Sequence, residues 1–169
     1  MRLKITSILC ALIIFSMISS ATACNFHITE AVDSKKGMQY GGTLAYYVGD
    51  LNTSIAIWNA LGKVKIEKDT ILTLQDLDIH ILNRYDPYQP ATPGVYNSQN
   101  KSITYYVPVI SNFTQAQRVK TMTHELGHAL GIDEIHVDNN IMQPSPANNP
   151  SSLNTLGTQD RAVYTCRWG

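Results

Sequence analysis

Charge is scarce in this chain. Only 15% of its 169 residues are Asp, Glu, Lys or Arg, and thirteen basic side chains balance thirteen acidic ones. A neutral chain offers no electrostatic footprint for nucleic acid and no polybasic patch for an anionic membrane. Cysteine is scarcer still: three are too few for a disulfide scaffold. Internal repeats and low-complexity tracts are absent, and no acidic cluster argues for calcium. No apolar run is long enough to span a bilayer. Hydrophobic residues make up 44% of the sequence, enough at this length for a domain with a real core and too many for extended disorder.

The ends of the chain are informative. Arg2 and Lys4 precede an apolar run from Ile8 to Ile18, and Ala21-Thr22-Ala23 presents small residues for cleavage. This is the three-part pattern of a secretory signal peptide over residues 1–23; a hydrophobic N-terminal core helix is the bland alternative. Cleavage would leave residues 24–169, with eleven basic and thirteen acidic side chains. Cys24 and Cys166 would remain, one near each end. An oxidising compartment permits a disulfide between them. Ala21-Thr22-Ala23-Cys24 also resembles a bacterial lipobox, in which Cys24 would be lipidated and anchor the protein at a cell surface. The disulfide is the preferred reading, because a lipidated Cys24 leaves Cys166 without a partner.

Patterning along the remaining chain predicts an irregular lead-in over residues 25–42 and a strand at Thr43 to Val48. A short helix follows, capped by Asn52 or Thr53 and ended by Gly62. Lys63 to Lys68 and Leu77 to Leu82 alternate as strands. Residues 83–101 carry Pro87, Pro90, Pro93 and Gly94 and read as a long loop. Ser102 to Val107 reads as a strand and Thr114 to Leu130 as the strongest helix, with Gly131 as its stop. Thr158 would cap a last helix through Val163, with Asp160 in its first turn. The order implies an α+β or α/β domain with a small mixed sheet.

The chemistry lies in His124-Glu125-Leu126-Gly127-His128-Ala129-Leu130-Gly131-Ile132-Asp133-Glu134. On a helix His124 and His128 fall about 40° apart and one turn above each other, so both imidazoles can reach one metal ion. Glu125 stands about 60° beyond His128, beside the metal rather than on it. A carboxylate there suits proton transfer from a metal-bound water. Val119, Met122, Leu126, Ala129 and Leu130 form an apolar stripe on the opposite side. One face would pack in the core and the other would line a cleft. A core-histidine reading would put the histidines inside the stripe.

These residues resemble the metzincin metallopeptidases, most closely the matrixin-like branch, whose pattern is HExxHxxGxxH followed by a methionine turn. The resemblance spans roughly residues 40–166, and its specific part is 124–144. It implies a metzincin-like zincin domain: a small twisted mixed sheet, an active-site helix and a C-terminal helix. It implies a zinc site held by His124 and His128, with Gly131 turning the chain toward a third ligand. Met142, in Ile141-Met142-Gln143-Pro144, would form the methionine turn, eight residues after that third position. The third position is Glu134 where the family has histidine. Glutamate is a sound zinc ligand. Glu134 is preferred; His136, two residues on, is the reserve, and Asp133, Asp138 or no third protein ligand are further alternatives. No cysteine-switch pro-domain precedes the catalytic stretch. His27 and His80 carry no functional claim.

The resemblance thus implies a secreted, monomeric zinc endopeptidase acting on protein or peptide substrates, with Glu125 as general base and no nucleic-acid partner. A membrane enters only if Cys24 is lipidated. A substrate would extend along Ser102 to Val107 as an added strand. Pro144 and the following loop would shape the pocket for the side chain after the cut, and Tyr96, Tyr105 and Tyr106 are candidate cleft-lining residues. The alternative is a catalytically weak zinc-binding surface module or lipoprotein of the same fold.

Overall fold

The computed structural model describes residues 24, 26–29, 31–42, 46–70, 77–86, 92–145, 151 and 153–169. The expected signal peptide, residues 1–23, lies outside them. Among the described residues no helix is long and apolar enough to cross a membrane.

The fold is α+β, as expected. Its elements run β1 (Gly37–Gly41), α1 (Val48–Asn59), β2 (Lys65–Lys68), β3 (Ile79–Arg84), β4 (Gly94–Asn97), β5 (Ser102–Tyr106), α2 (Val107–Ile110), α3 (Gln115–Ala129) and α4 (Thr158–Trp168). The sheet order is β2-β1-β3-β5-β4. All neighbours are parallel except β4, which runs antiparallel to β5.

Several sequence expectations are corrected. β1 lies inside the supposed lead-in, and β4 inside the supposed long loop. Of the expected strand Thr43 to Val48, residues 43–45 lie outside the described residues, and Val48 opens α1 instead. Tyr47 caps that helix in the left-handed region, at φ 58°. The Arg118 guanidinium, 4.4 Å from the Tyr47 ring centroid, covers it there. β5 is an inner strand, so Ser102 to Val107 cannot receive a substrate strand. The sheet edge near α3 is β4, which packs against that helix.

The two long central helices are locked together by side chain to backbone bonds. Trp58 Nε1 donates to Thr123 O at 2.8 Å, and Ser54 Oγ to Val119 O at 3.1 Å. Arg118 Nε meets Asp50 Oδ2 at 2.5 Å. α1 buries Leu51, Ile55 and Trp58 at helical spacing against this contact. α3 opens with a full capping box, Thr114 and Gln117 each satisfying the other's backbone N–H. It ends at Gly131, whose φ of 84° is a conformation open to glycine. The apolar stripe Val119, Met122, Leu126, Ala129 and Leu130 is fully in the core. The opposite face is also covered, His124 and Glu125 being 9% and 8% exposed. Cys24 and Cys166 form a disulfide, with Cα atoms 6.1 Å apart, tying the N-terminal segment to α4.

Candidate metal centre

α3 places His124 and His128 one turn apart, and the turn at Gly131 brings Glu134 back to them. His124 Nε2 and His128 Nε2 are 3.1 Å apart. Glu134 Oε1 lies 3.3 Å from the first and 3.5 Å from the second. Four-coordinate zinc with bonds of about 2.0–2.1 Å needs ligand atoms roughly 3.3 Å apart, so this triangle has the right size.

The tautomers follow from the outer bonds. His124 Nδ1 donates to Ile141 O and His128 Nδ1 to Ile132 O, both at 2.9 Å. A carbonyl only accepts, so each Nδ1 carries the hydrogen and each neutral Nε2 presents a lone pair. Three acceptor atoms therefore converge, which is stable only with a cation or a proton between them. Burial pushes the His128 pKa down, but Glu134 and Glu125 outweigh it and raise it above the usual value. Burial likewise opposes the Glu134 charge, and the two imidazoles outweigh it, holding that carboxyl well below the ordinary range. The donor set of two imidazoles and a carboxylate suits zinc. The Nδ1 bonds supply the outer support that metal-binding histidines need.

Among the described residues, His124, His128 and Glu134 are the only group brought together in this way. His136 and Asp138, both exposed, and half-buried Asp133 lie outside it. His80 is exposed on β3. His27 bonds Asp133 Oδ1 at 2.7 Å through Nδ1.

Glu125 faces the edge strand. Its Oε2 accepts the Tyr96 N–H at 2.8 Å, and its charge reaches His128. Gly94 makes this approach possible: a Cβ there would lie 3.0 Å from the Tyr105 ring and 3.2 Å from Glu125 Cγ. Tyr105 is fully buried, with its hydroxyl toward Met122 O at 3.4 Å, so it belongs to the core and not to a cleft. Burial, then the Glu125 charge, pushes its pKa well up. Tyr106 is 8% exposed and equally interior. Tyr96 is half-buried, its hydroxyl 3.3 Å from Thr29 Oγ1.

Met142 is completely buried beneath α3. A Cβ on Gly127, between the two histidines, would overlap Met142 Sδ. The turn is held by Asp160, for which the sequence suggested only a helix-dipole effect. Its Oδ2 accepts from Ile141 N at 2.6 Å and from Gly157 N at 2.8 Å; its Oδ1 accepts from Met142 N at 3.1 Å. Asp160 is 0% exposed and stands at the third position of α4, whose N-cap is Gly157 rather than Thr158. The chain of contacts Asp160, Ile141, His124 links α4 to a candidate ligand.

No family model matches the chain, and no curated protein matches it in sequence. Solved structures do match. Archaemetzincin from Methanopyrus kandleri superposes with a TM-score of 0.54 at 16% identity, covering 80% of this chain and 98% of that one. Myroilysin gives 0.51 at 10% identity, covering 82% and 95%. A zinc-dependent peptidase from Methanocorpusculum labreanum gives 0.50 at 9% identity, covering 75% and 98%. The chain has a metzincin-type zincin fold. In this chain the helix carrying His124 and His128 packs against the edge strand β4.

Proposed function

We propose that the protein is a secreted zinc endopeptidase of matrixin-like type. The observation that carries this reading is the convergence of three lone-pair donors, His124 Nε2, His128 Nε2 and Glu134 Oε1, beside the buried carboxylate of Glu125. His124, His128 and Glu134 would hold the metal. Zinc bound there supplies a Lewis acid for the scissile carbonyl and a water acidified enough to attack it. Glu125 takes the proton from the attacking water and passes it to the leaving amine. Its bond to Tyr96 N keeps it next to β4, the outer strand along which an extended peptide can pair. Met142 is an apolar floor without a direct chemical role. Met142-Gln143-Pro144, eight residues beyond Glu134, supports the matrixin-like assignment.

All three proposed ligands come from one chain, in keeping with a monomer. The leader pattern at residues 1–23 supports export, and the Cys24–Cys166 disulfide supports a free rather than a lipid-anchored form, since both would use the same sulfur. A buried carboxylate beside the metal triangle favours an enzyme over a binding module, which has no use for a base there. Glu125→Ala protein should keep its zinc and lose cleavage of a broad peptide library. Equal cleavage by wild type and variant would refute the assignment.

A further inference from the structure

We propose that Lys120 is a specificity determinant of this site, its ammonium receiving the acidic side chain of a substrate residue that flanks the scissile bond. The proposal rests on the peptidase reading above. Lys120 precedes His124 by four residues, and His124 precedes His128 by four, so the three stand in one row along α3. Lys120 is 3% exposed. Among the described residues its ammonium bonds Gln143 O at 2.8 Å, a neutral acceptor on the chain just after Met142. An ammonium has three hydrogens to donate.

A buried cation is costly without an anionic partner. The acids whose charges reach Lys120 are Glu134, Glu125 and Asp160. All three are engaged elsewhere. Glu134 faces the two imidazoles, Glu125 accepts from Tyr96 N, and Asp160 accepts three backbone N–H groups. Burial accordingly lowers the Lys120 pKa to about 8, despite those charges. The lysine therefore holds a positive charge in line with the metal triangle and, among the described residues, bonds a single acceptor through its ammonium. A carboxylate arriving with the substrate completes it and is shielded from water there, where an ion pair discriminates strongly against a neutral side chain.

A purely structural role, stapling Gln143 to α3, makes a different prediction. The test uses two peptide hydroxamates that differ only in an aspartyl or a leucyl side chain next to the hydroxamate. Their binding to zinc-loaded wild type, Lys120→Met and Lys120→Arg proteins is measured by calorimetry, with zinc content and melting temperature recorded for each. The expected result is roughly tenfold or greater preference for the aspartyl probe in wild type. Lys120→Met should abolish that preference and Lys120→Arg restore it. Equal binding of the two probes by wild type overturns the proposal. So does a Lys120→Met protein that is less stable but equally selective. A wild type that holds no zinc and binds neither probe removes the peptidase reading, and this proposal with it.

Discussion

At the scale of single residues, Glu134 is where the chain departs from the HExxHxxGxxH pattern that it resembles. Two alanine substitutions separate it from its reserve. Glu134→Ala should lower zinc affinity by at least tenfold, while His136→Ala leaves it unchanged, as read by competition with a chelator. Zinc loss in His136→Ala alone would reverse the assignment. The same residues dictate how the metal-free protein responds to pH. His128 has a raised pKa, so its stabilisation is complete below the ordinary histidine value of 6.5 and is lost as pH rises through the folded value. Glu134 has a lowered pKa, so its stabilisation is present above the ordinary glutamate value of 4.5 and is lost as pH falls. Metal-free protein should therefore gain most from this pair between pH 4.5 and 6.5. Thermal melts of chelator-treated wild type and Glu134→Gln across that range would show the difference narrowing on both sides. Zinc reverses the upper limb, because protons and metal compete for the same lone pairs.

At the scale of elements, the site depends on parts remote from it in sequence. Asp160 holds the Ile141–Met142 backbone, and Ile141 O orients His124. Asp160→Ala would leave three N–H groups without their acceptor. A loss of about 2–4 kcal/mol in a denaturant titration is expected, together with weaker zinc binding. Gly127→Ala would drive a methyl group into Met142 Sδ and to 3.0 Å from Trp58 Cζ2. Overpacking there should destabilise by roughly 1–3 kcal/mol. The sequence revealed α3 well, because its caps, apolar stripe and ligand spacing agree with one another. It revealed β1 and β4 poorly. β1 is a short strand bracketed by glycines, Gly37 and Gly41, and β4 has only Val95 and Tyr96 between Gly94 and Asn97. Neither is long enough to show alternation, and their pairing comes from neighbours far along the chain. The role of Asp160 was hidden for a related reason: a carboxylate that caps its own helix and a distant turn looks from sequence like a helix-dipole residue. Gly94, two residues before Tyr96, whose N–H reaches Glu125, was the one signal in that stretch that β4 lies close to α3.

At the scale of the whole molecule, the N-terminal segment and α4 are stapled across 142 residues by Cys24–Cys166. Phe26 bridges to Ile132, His27 N donates to Gly131 O, and Ile132 O orients His128, so the stapled segment backs the turn that leads to Glu134. Replacing both cysteines by serine should lower unfolding stability by up to about 5 kcal/mol, measured in denaturant. The central claim is that cleavage runs through a metal held by α3 and Glu134. It is tested most directly by following peptide-library cleavage as 1,10-phenanthroline removes metal and stoichiometric zinc returns it. Cleavage should be lost on chelation and recover with one zinc per chain. Cleavage that persists in fully metal-free protein would contradict the claim.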